Sequence, residues 1–121
     1  MTHILMIEDE HNILEEVLEW FEFENYQASG ASNGREGVEK ALALHPDLIL
    51  CDVTMPVMNG YDFIKAVRAQ PKYARLTMMM VTTETEMSQV VRALAAGANE
   101  YVMKPFTADA LVEKLELLGL L

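Results

Sequence analysis

Two stretches, Leu48-Ile49-Leu50-Cys51 and Leu76–Val81 with its core Met78-Met79-Met80, are too uniformly apolar to be half-exposed strands. Strands apolar on both faces belong to parallel sheets covered by helices on each side, because each parallel pair needs a crossover that lays a helix over a face. A fold containing them must therefore alternate strands with amphipathic helices. Leu48–Cys51 also delivers a carboxylate, Asp52, to its carboxyl end, before Met55-Pro56 and Asn59-Gly60 break the chain. Chemistry in such sheets sits just beyond those ends.

The remaining segments supply the alternation. His3–Ile7 reads as a short strand running into Glu8-Asp9-Glu10. Ile13, Leu14, Val17, Leu18 and Phe21 then recur at the three-and-four spacing of a core-facing helix. Tyr26–Ser29 is a weak second strand. Asn33 with Glu36 is a helix cap followed by a stripe of Val38, Ala41 and Leu42, and His45-Pro46 ends that helix. Asn59 caps a third helix, from about Gly60 to Ala69, that buries Phe63, Ile64 and Val67, with Pro71 beyond it. Leu76–Val81 ends in Thr82-Thr83, and Thr83-Glu84-Thr85-Glu86 reads as a capping box for a helix with Met87, Val90, Val91 and Leu94 inward and Gly97 as its stop. Glu100–Met103 is a fifth strand, and Thr107 caps a last helix with the stripe Leu111, Leu115 and Leu118. Short loops and right-handed crossovers make this an α/β fold, a single doubly wound parallel sheet of five βα units spanning residues 1–121.

Composition narrows the partners. With 9 basic and 19 acidic residues the net charge is −10, and Glu10, Glu15, Glu16, Glu19, Glu22 and Glu24 crowd one early segment, so the surface repels phosphate backbones and direct nucleic-acid binding is not expected. No apolar run approaches the roughly 20 residues of a membrane span, and the amino terminus lacks the pattern of a signal peptide, which makes the cytoplasm the expected location. The lone Cys51 lies within an apolar strand and reads as inert packing. The nine methionines read as core filler, and His3, His11 and His45 share no metal-binding spacing. Trp20 and Phe23 lie off the main stripe of the first helix, where they could offer a small apolar surface to a partner or a second copy.

The polar residues that interrupt the pattern all fall at strand ends. Glu8-Asp9 follow strand one, Asp52 closes strand three, Thr82 strand four and Lys104 strand five. With a strand order of 2-1-3-4-5, the crevice opens where strands one and three lie side by side, which brings the three carboxylates together. Three carboxylates and one ammonium leave two negative charges uncompensated, an arrangement that a divalent cation would neutralise. Mg2+, which prefers oxygen ligands and is commonly held by one or two carboxylates plus substrate phosphate, is the natural candidate. An aspartate so placed can act as a nucleophile toward phosphorus, Lys104 can neutralise the transferred oxygens, and Thr82 can donate a hydrogen bond to them.

Taken together, Glu8-Asp9, Asp52-Val53-Thr54-Met55-Pro56 with Asn59-Gly60, Thr82, Tyr101 and Lys104-Pro105-Phe106 resemble the motifs of a response-regulator receiver domain, the flavodoxin-like family of the chemotaxis protein CheY. The resemblance covers essentially the whole chain. It implies a two-component signalling switch in which Asp52 is the phosphoacceptor, taking its phosphoryl group from a histidine kinase or phosphotransfer protein. It further implies that Asp9, Asp52 and the Thr54 backbone carbonyl ligate Mg2+, with Glu8 acting through a metal-bound water. Thr82 would move toward the phosphoryl group, Tyr101 would swing inward and alter the helix 4–strand 5–helix 5 surface, and Lys104 would pair with a phosphoryl oxygen. Pro105 would follow a cis peptide bond. The partners implied are that donor and a downstream protein target, without nucleic acid or membrane insertion, for a monomer that could dimerise transiently. It is a signalling protein rather than an enzyme, although it catalyses its own phosphoryl transfer and dephosphorylation. Residues Thr54 and Glu84 would flank the route of hydrolytic water. The complete final helix and acidic surface favour a stand-alone regulator over one excised from a longer protein.

Two other readings bear on the same residues. A phosphohydrolase of the haloacid dehalogenase type also forms an aspartyl phosphate, but it needs a general acid two residues after the nucleophile, where this chain has Thr54. A flavodoxin-like cofactor binder would place an FMN phosphate in an acidic pocket that repels it. Glu8 and Asp9 alone would be ordinary helix-start carboxylates.

Overall fold

The computed structural model describes residues 2–53, 55, 57–83, 87–104 and 106–119. Five parallel strands, β1 (His3–Ile7), β2 (Gln27–Ala31), β3 (Leu48–Asp52), β4 (Thr77–Thr82) and β5 (Glu100–Met103), form one sheet in the order β2-β1-β3-β4-β5. Between and after them run α1 (His11–Phe23), α2 (Gly34–Leu44), α3 (Gly60–Arg68), α4 (Met87–Ala96) and α5 (Ala108–Leu117), with a 3-10 turn at Pro71–Tyr73.

Strand alternation splits the core into two layers. Ile7, Ile49, Cys51, Met78 and Met80 face Ala41, Phe63, Ile64, Val67, Val90 and Ala93 of α2, α3 and α4. Ile4, Met6, Leu48, Leu50, Met79 and Val81 face Leu14, Val17 and Phe21 of α1 and Leu111 and Leu115 of α5. The central strands are buried on both sides, as their uninterrupted hydrophobicity requires. The methionines of β4 pack into both layers, filling space between differently shaped neighbours.

Capping follows the sequence in most places. Asn33, Asn59 and Thr107 accept from the backbone amides of Glu36, Asp62 and Ala110 at 2.9, 2.9 and 3.1 Å. The Glu36 carboxylate reaches the amide and hydroxyl of Ser32, one residue further back than a simple capping box. At the start of α1 the cap is Glu10, which accepts from the amides of Asn12 and Ile13. Glu8 and Asp9 are thus outside the cap. The capping box of residues 83–86 and the Pro105 peptide lie outside the described residues in whole or part.

Several expectations need correction. β2 runs from Gln27 to Ala31, not Tyr26 to Ser29, because Tyr26 turns back to pack edge-on against Phe21, with ring centroids 6.0 Å apart. Leu42 is exposed, since the inner face of α2 is built by Gly34, Gly37 and Ala41. Gly37 is needed there: a Cβ would lie 2.6 Å from Ile7 Cδ1, so close helix–sheet contact leaves no space for a larger stripe. On α4, Val90 and Ala93 point inward, whereas Val91 and Leu94 are exposed. Both pairs fit a helical stripe, and only tertiary packing chooses between them.

At the amino-terminal end of the sheet a polar clamp joins α3 to the α4–β5 turn. Arg68 donates to the Gly97 carbonyl from Nε and Nη2 at 3.1 and 2.8 Å, to the Tyr73 carbonyl at 2.7 Å and to Asn99 Oδ1 at 3.0 Å. Gly97 has φ +125°, and a Cβ there would meet Arg68 Nε at 3.0 Å. Glycine is therefore required both by the backbone and by the guanidinium. Replacing Arg68 by alanine strips three carbonyl-type acceptors of a charged donor and is expected to cost about 2 kcal/mol, read as a lower urea midpoint with unchanged slope. The ion pairs of Lys104 at the opposite end of the sheet should be unaffected.

Candidate phosphoacceptor site

β1 and β3 are neighbours with Ile7 opposite Cys51, so Glu8 and Asp52 leave the sheet side by side. β4 and β5 continue the edge, pairing Asp52 with Val81 and Thr82 with Met103. The Lys104 amide donates to the Thr82 carbonyl at 2.6 Å, which extends the ladder by one residue and aims the lysine side chain back along the strand ends.

The Lys104 ammonium then spans the crevice, 2.5 Å from Glu8 Oε1 and 3.0 Å from Asp52 Oδ2. Ligand atoms of Glu8, Asp9 and Asp52 all lie within 4.8 Å of one another. Glu8 and Asp52 are buried, at 1% and 5% exposure, while Asp9 is exposed and open to exchange with solvent. Glu8, Asp9, Asp52 and Lys104 therefore converge as their strand-end positions require.

Thr82 is fully buried at the same edge, but its hydroxyl donates to the Thr83 carbonyl at 3.1 Å rather than toward Asp52. Tyr101 lies two residues earlier on β5, half-buried against the α4-side core and opposite Met80. Thr54 and Glu84 fall outside the described residues.

Burial and charge set the protonation of the cluster. Desolvation, reinforced by a hydrogen bond and negative charge from Asp52, raises the Glu8 pKa to about 7 despite the opposing pull of Lys104. Burial works against the charge on Lys104, but its bonds to Glu8 and Asp52 outweigh this and hold its pKa above the ordinary lysine value. Burial, with the charges of Asp52 and Glu8 adding to it, pushes the Cys51 thiol well up, so Cys51 is inert.

These shifts also favour a cation. Three converging carboxylates, one of them kept protonated near neutrality chiefly by burial and then by Asp52, are a donor set suited to a hard divalent ion. The sign of the pH effect follows. The folded Glu8 pKa lies above the unfolded value of 4.5, so this group's stabilising contribution is complete below 4.5 and is lost as pH rises toward about 7. Metal-free protein should therefore lose stability over that window. Added Mg2+ should raise the melting temperature more at pH 8 than at pH 5.5, a comparison that thermal unfolding can make directly.

Beside the site, α1 and α5 enclose a groove of about 760 Å³ lined by Ile13, Val17, Trp20, Phe23, Phe106 and Leu111, with Glu16 and Glu19 on its border and Lys104 at one end. Phe23 is 83% exposed, so the off-stripe aromatics of α1 contribute to a real apolar surface. Its acidic border was visible in the sequence; its depth depends on Phe106, which comes from the far end of the chain.

The sequence matches the response regulator receiver domain family over residues 4–116. The response regulator SaeR of Staphylococcus aureus strain USA300 is 32% identical over 115 residues, covering 95% of this chain and 49% of that protein, so the chain spans about half the length of the curated relatives it matches. Among solved structures, the chemotaxis protein CheY4 of Vibrio cholerae superposes with a TM-score of 0.91 at 35% identity, covering 97% of this chain and 98% of that one. The signal receiver domain of a signal transduction histidine kinase from Syntrophus aciditrophicus gives 0.88 at 31% identity, covering 98% and 89%. A family match over nearly the whole chain, on a CheY-like sheet carrying this acidic pocket, identifies the protein as a member of the response regulator receiver family of two-component signalling.

Proposed function

We propose that residues 1–121 act as one receiver unit, a cytoplasmic phosphorylation switch in which Asp52 accepts a phosphoryl group from the phosphohistidine of a histidine kinase or phosphotransfer protein. The observation that carries this reading is the Lys104 ammonium bridging Glu8 and Asp52. It holds a cation against the carboxylate oxygens that face an incoming phosphoryl group. An Asp52 oxygen forms the new O–P bond as the donor P–N bond breaks, and the proton needed by the departing imidazole comes from the donor site or solvent.

The residues present suit Mg2+, which Asp9, Asp52 and the Thr54 carbonyl would hold directly and Glu8 through a water, and which would offset the charge of acceptor and donor. Lys104, now paired with Glu8 and Asp52, would then pair with a transferred oxygen. Thr82 gives up the Thr83 carbonyl and donates its hydroxyl to another phosphoryl oxygen, an exchange of partners that makes β4 sensitive to the modification. Tyr101 follows inward. The surface of α4, β5 and α5 carries exposed Val91, Leu94, Met103 and Leu117, which support docking of a downstream protein target there.

The phosphodonor is the occupant we assign to the α1–α5 groove. It ends at Lys104, and its border at Glu16 and Glu19 is acidic, so it complements a helix with an apolar stripe and basic flanks. A net charge of −10 argues against direct nucleic-acid contact, and among the described residues no helix is long and apolar enough to cross a membrane. The unit functions as a monomer with transient dimers, and as a signalling component rather than an enzyme acting on a metabolite.

Acetyl phosphate tests the chemistry without a partner. One phosphoryl group per chain is expected by intact mass in the presence of Mg2+, and none when a chelator removes it. Equal incorporation with and without metal would overturn the reading.

A further inference from the structure

The edge strand β5 holds Tyr101 between α4 and α5, and one charged group on α5 engages its ring. Lys114 Nζ lies 5.3 Å from the Tyr101 ring centroid, within cation–π range. The same ammonium is 3.5 Å from Glu100 Oε1. That carboxylate oxygen also accepts the Tyr101 backbone amide at 2.9 Å. Glu100, Tyr101 and Lys114 thus form a closed set in which the carboxylate pins the backbone of Tyr101 and steers a cation over its ring. Lys114 and Glu100 are about one-third exposed, so the set is accessible to small biases rather than locked in the core.

We propose that Lys114 is a positioning residue that holds Tyr101 in its resting place and so sets how much phosphoryl-derived energy the switch requires. This rests on the reading of Tyr101 as a switch residue. Moving toward Thr82, the ring leaves the ammonium, and the contact is lost in the switched state only. An interaction present in one state alone shifts the equilibrium by its full strength, and by linkage it weakens binding of a phosphoryl mimic at Asp52 by the same factor. Glu100 acts through Lys114, since without the carboxylate the lysine stem is free to rotate into solvent.

The test uses beryllofluoride with Mg2+ as the phosphoryl mimic and NMR of the Tyr101 ring as the readout. Lys114→Met keeps the stem and removes the charge. It should lower the beryllofluoride midpoint and raise the switched fraction at subsaturating mimic by about two- to fivefold, the range expected of an exposed cation–π pair. Lys114→Arg, which restores the cation, should return both to the wild-type values, a rescue that loss of packing alone does not give. If wild-type ring signals respond to beryllofluoride while Lys114→Met titrates like wild type, the positioning role is wrong. If the wild-type ring signals do not respond at all, the Tyr101 switch is wrong and Lys114 has nothing to position.

Discussion

Asp52→Asn abolishes phosphoryl incorporation from acetyl phosphate and, in metal-free buffer at pH 8, makes the protein more stable. The first outcome follows from replacing a carboxylate nucleophile by an amide that cannot form the acyl phosphate. The second follows from the electrostatics of the cluster. Three carboxylates whose oxygens lie within 4.8 Å of one another share, among the described residues, the Lys104 ammonium, so like charges crowd a partly dehydrated place. Removing one charge relieves repulsion on both Glu8 and Asp9, while the amide can still accept a hydrogen bond from Lys104. A gain of about 1 kcal/mol in urea unfolding is expected, the usual sign of a site that holds strain for function. Glu8 should also titrate lower, because Asp52 contributes to its raised pKa. Retained labelling, or a variant less stable than wild type without metal, would contradict this account.

Gly60→Val should be the most damaging single change near the site. A Cβ on Gly60 would sit 2.7 Å from the Asp52 carbonyl oxygen, 2.7 Å from Met80 Cε and 3.0 Å from Val53 Cα. Two of those three atoms are backbone of the segment carrying Asp52, and the Gly60 amide itself donates to the Val53 carbonyl at 2.9 Å. Relief of the clash must move α3 away from β3 or displace Asp52. A loss of about 3 kcal/mol is expected from overpacking, measured by urea denaturation. The folded fraction should also react with acetyl phosphate at least about tenfold more slowly, since misplacing a reacting group by an ångström has that scale of effect. A variant that is destabilised but reacts normally once folded would place the cost in packing alone.

Hydrophobic pattern made the parallel sheet readable because buried parallel strands leave few alternatives. The order 2-1-3-4-5 came instead from the doubly wound class and the family resemblance, and given that order the strand ends bring Glu8, Asp9, Asp52 and Lys104 together. Three features resisted for identifiable reasons. Val90 and Val91 differ by one helical step and are equally apolar, so the inward member depends on how α4 lies against β4. Glu10, rather than either acid before it, caps α1, because where a helix starts within an acidic triplet is decided by the strand that precedes it. The Arg68 clamp reaches 29 positions to the Gly97 backbone carbonyl, which carries no residue-type signal, and 31 positions to the Asn99 side-chain oxygen, whose pairing no local pattern announces. The Thr82 hydroxyl illustrates a different difficulty. Its location followed from its place on β4, but its choice of the Thr83 carbonyl depends on a rotamer.

The bridge at the site also constrains how the protein comes into being. Lys104 is separated from Glu8 by 96 positions and from Asp52 by 52. Contacts of such separation form late, after the loops between them have closed. During synthesis the segment bearing Asp52 emerges well before the lysine that gives it a cationic partner. A chain arrested or misfolded before β5 docks would expose the Asp52 carboxylate without the ammonium that pairs with it in the finished fold. Under the proposed chemistry only a completed fold can carry the signal, and the ion pair then serves as a built-in check that β5 has docked.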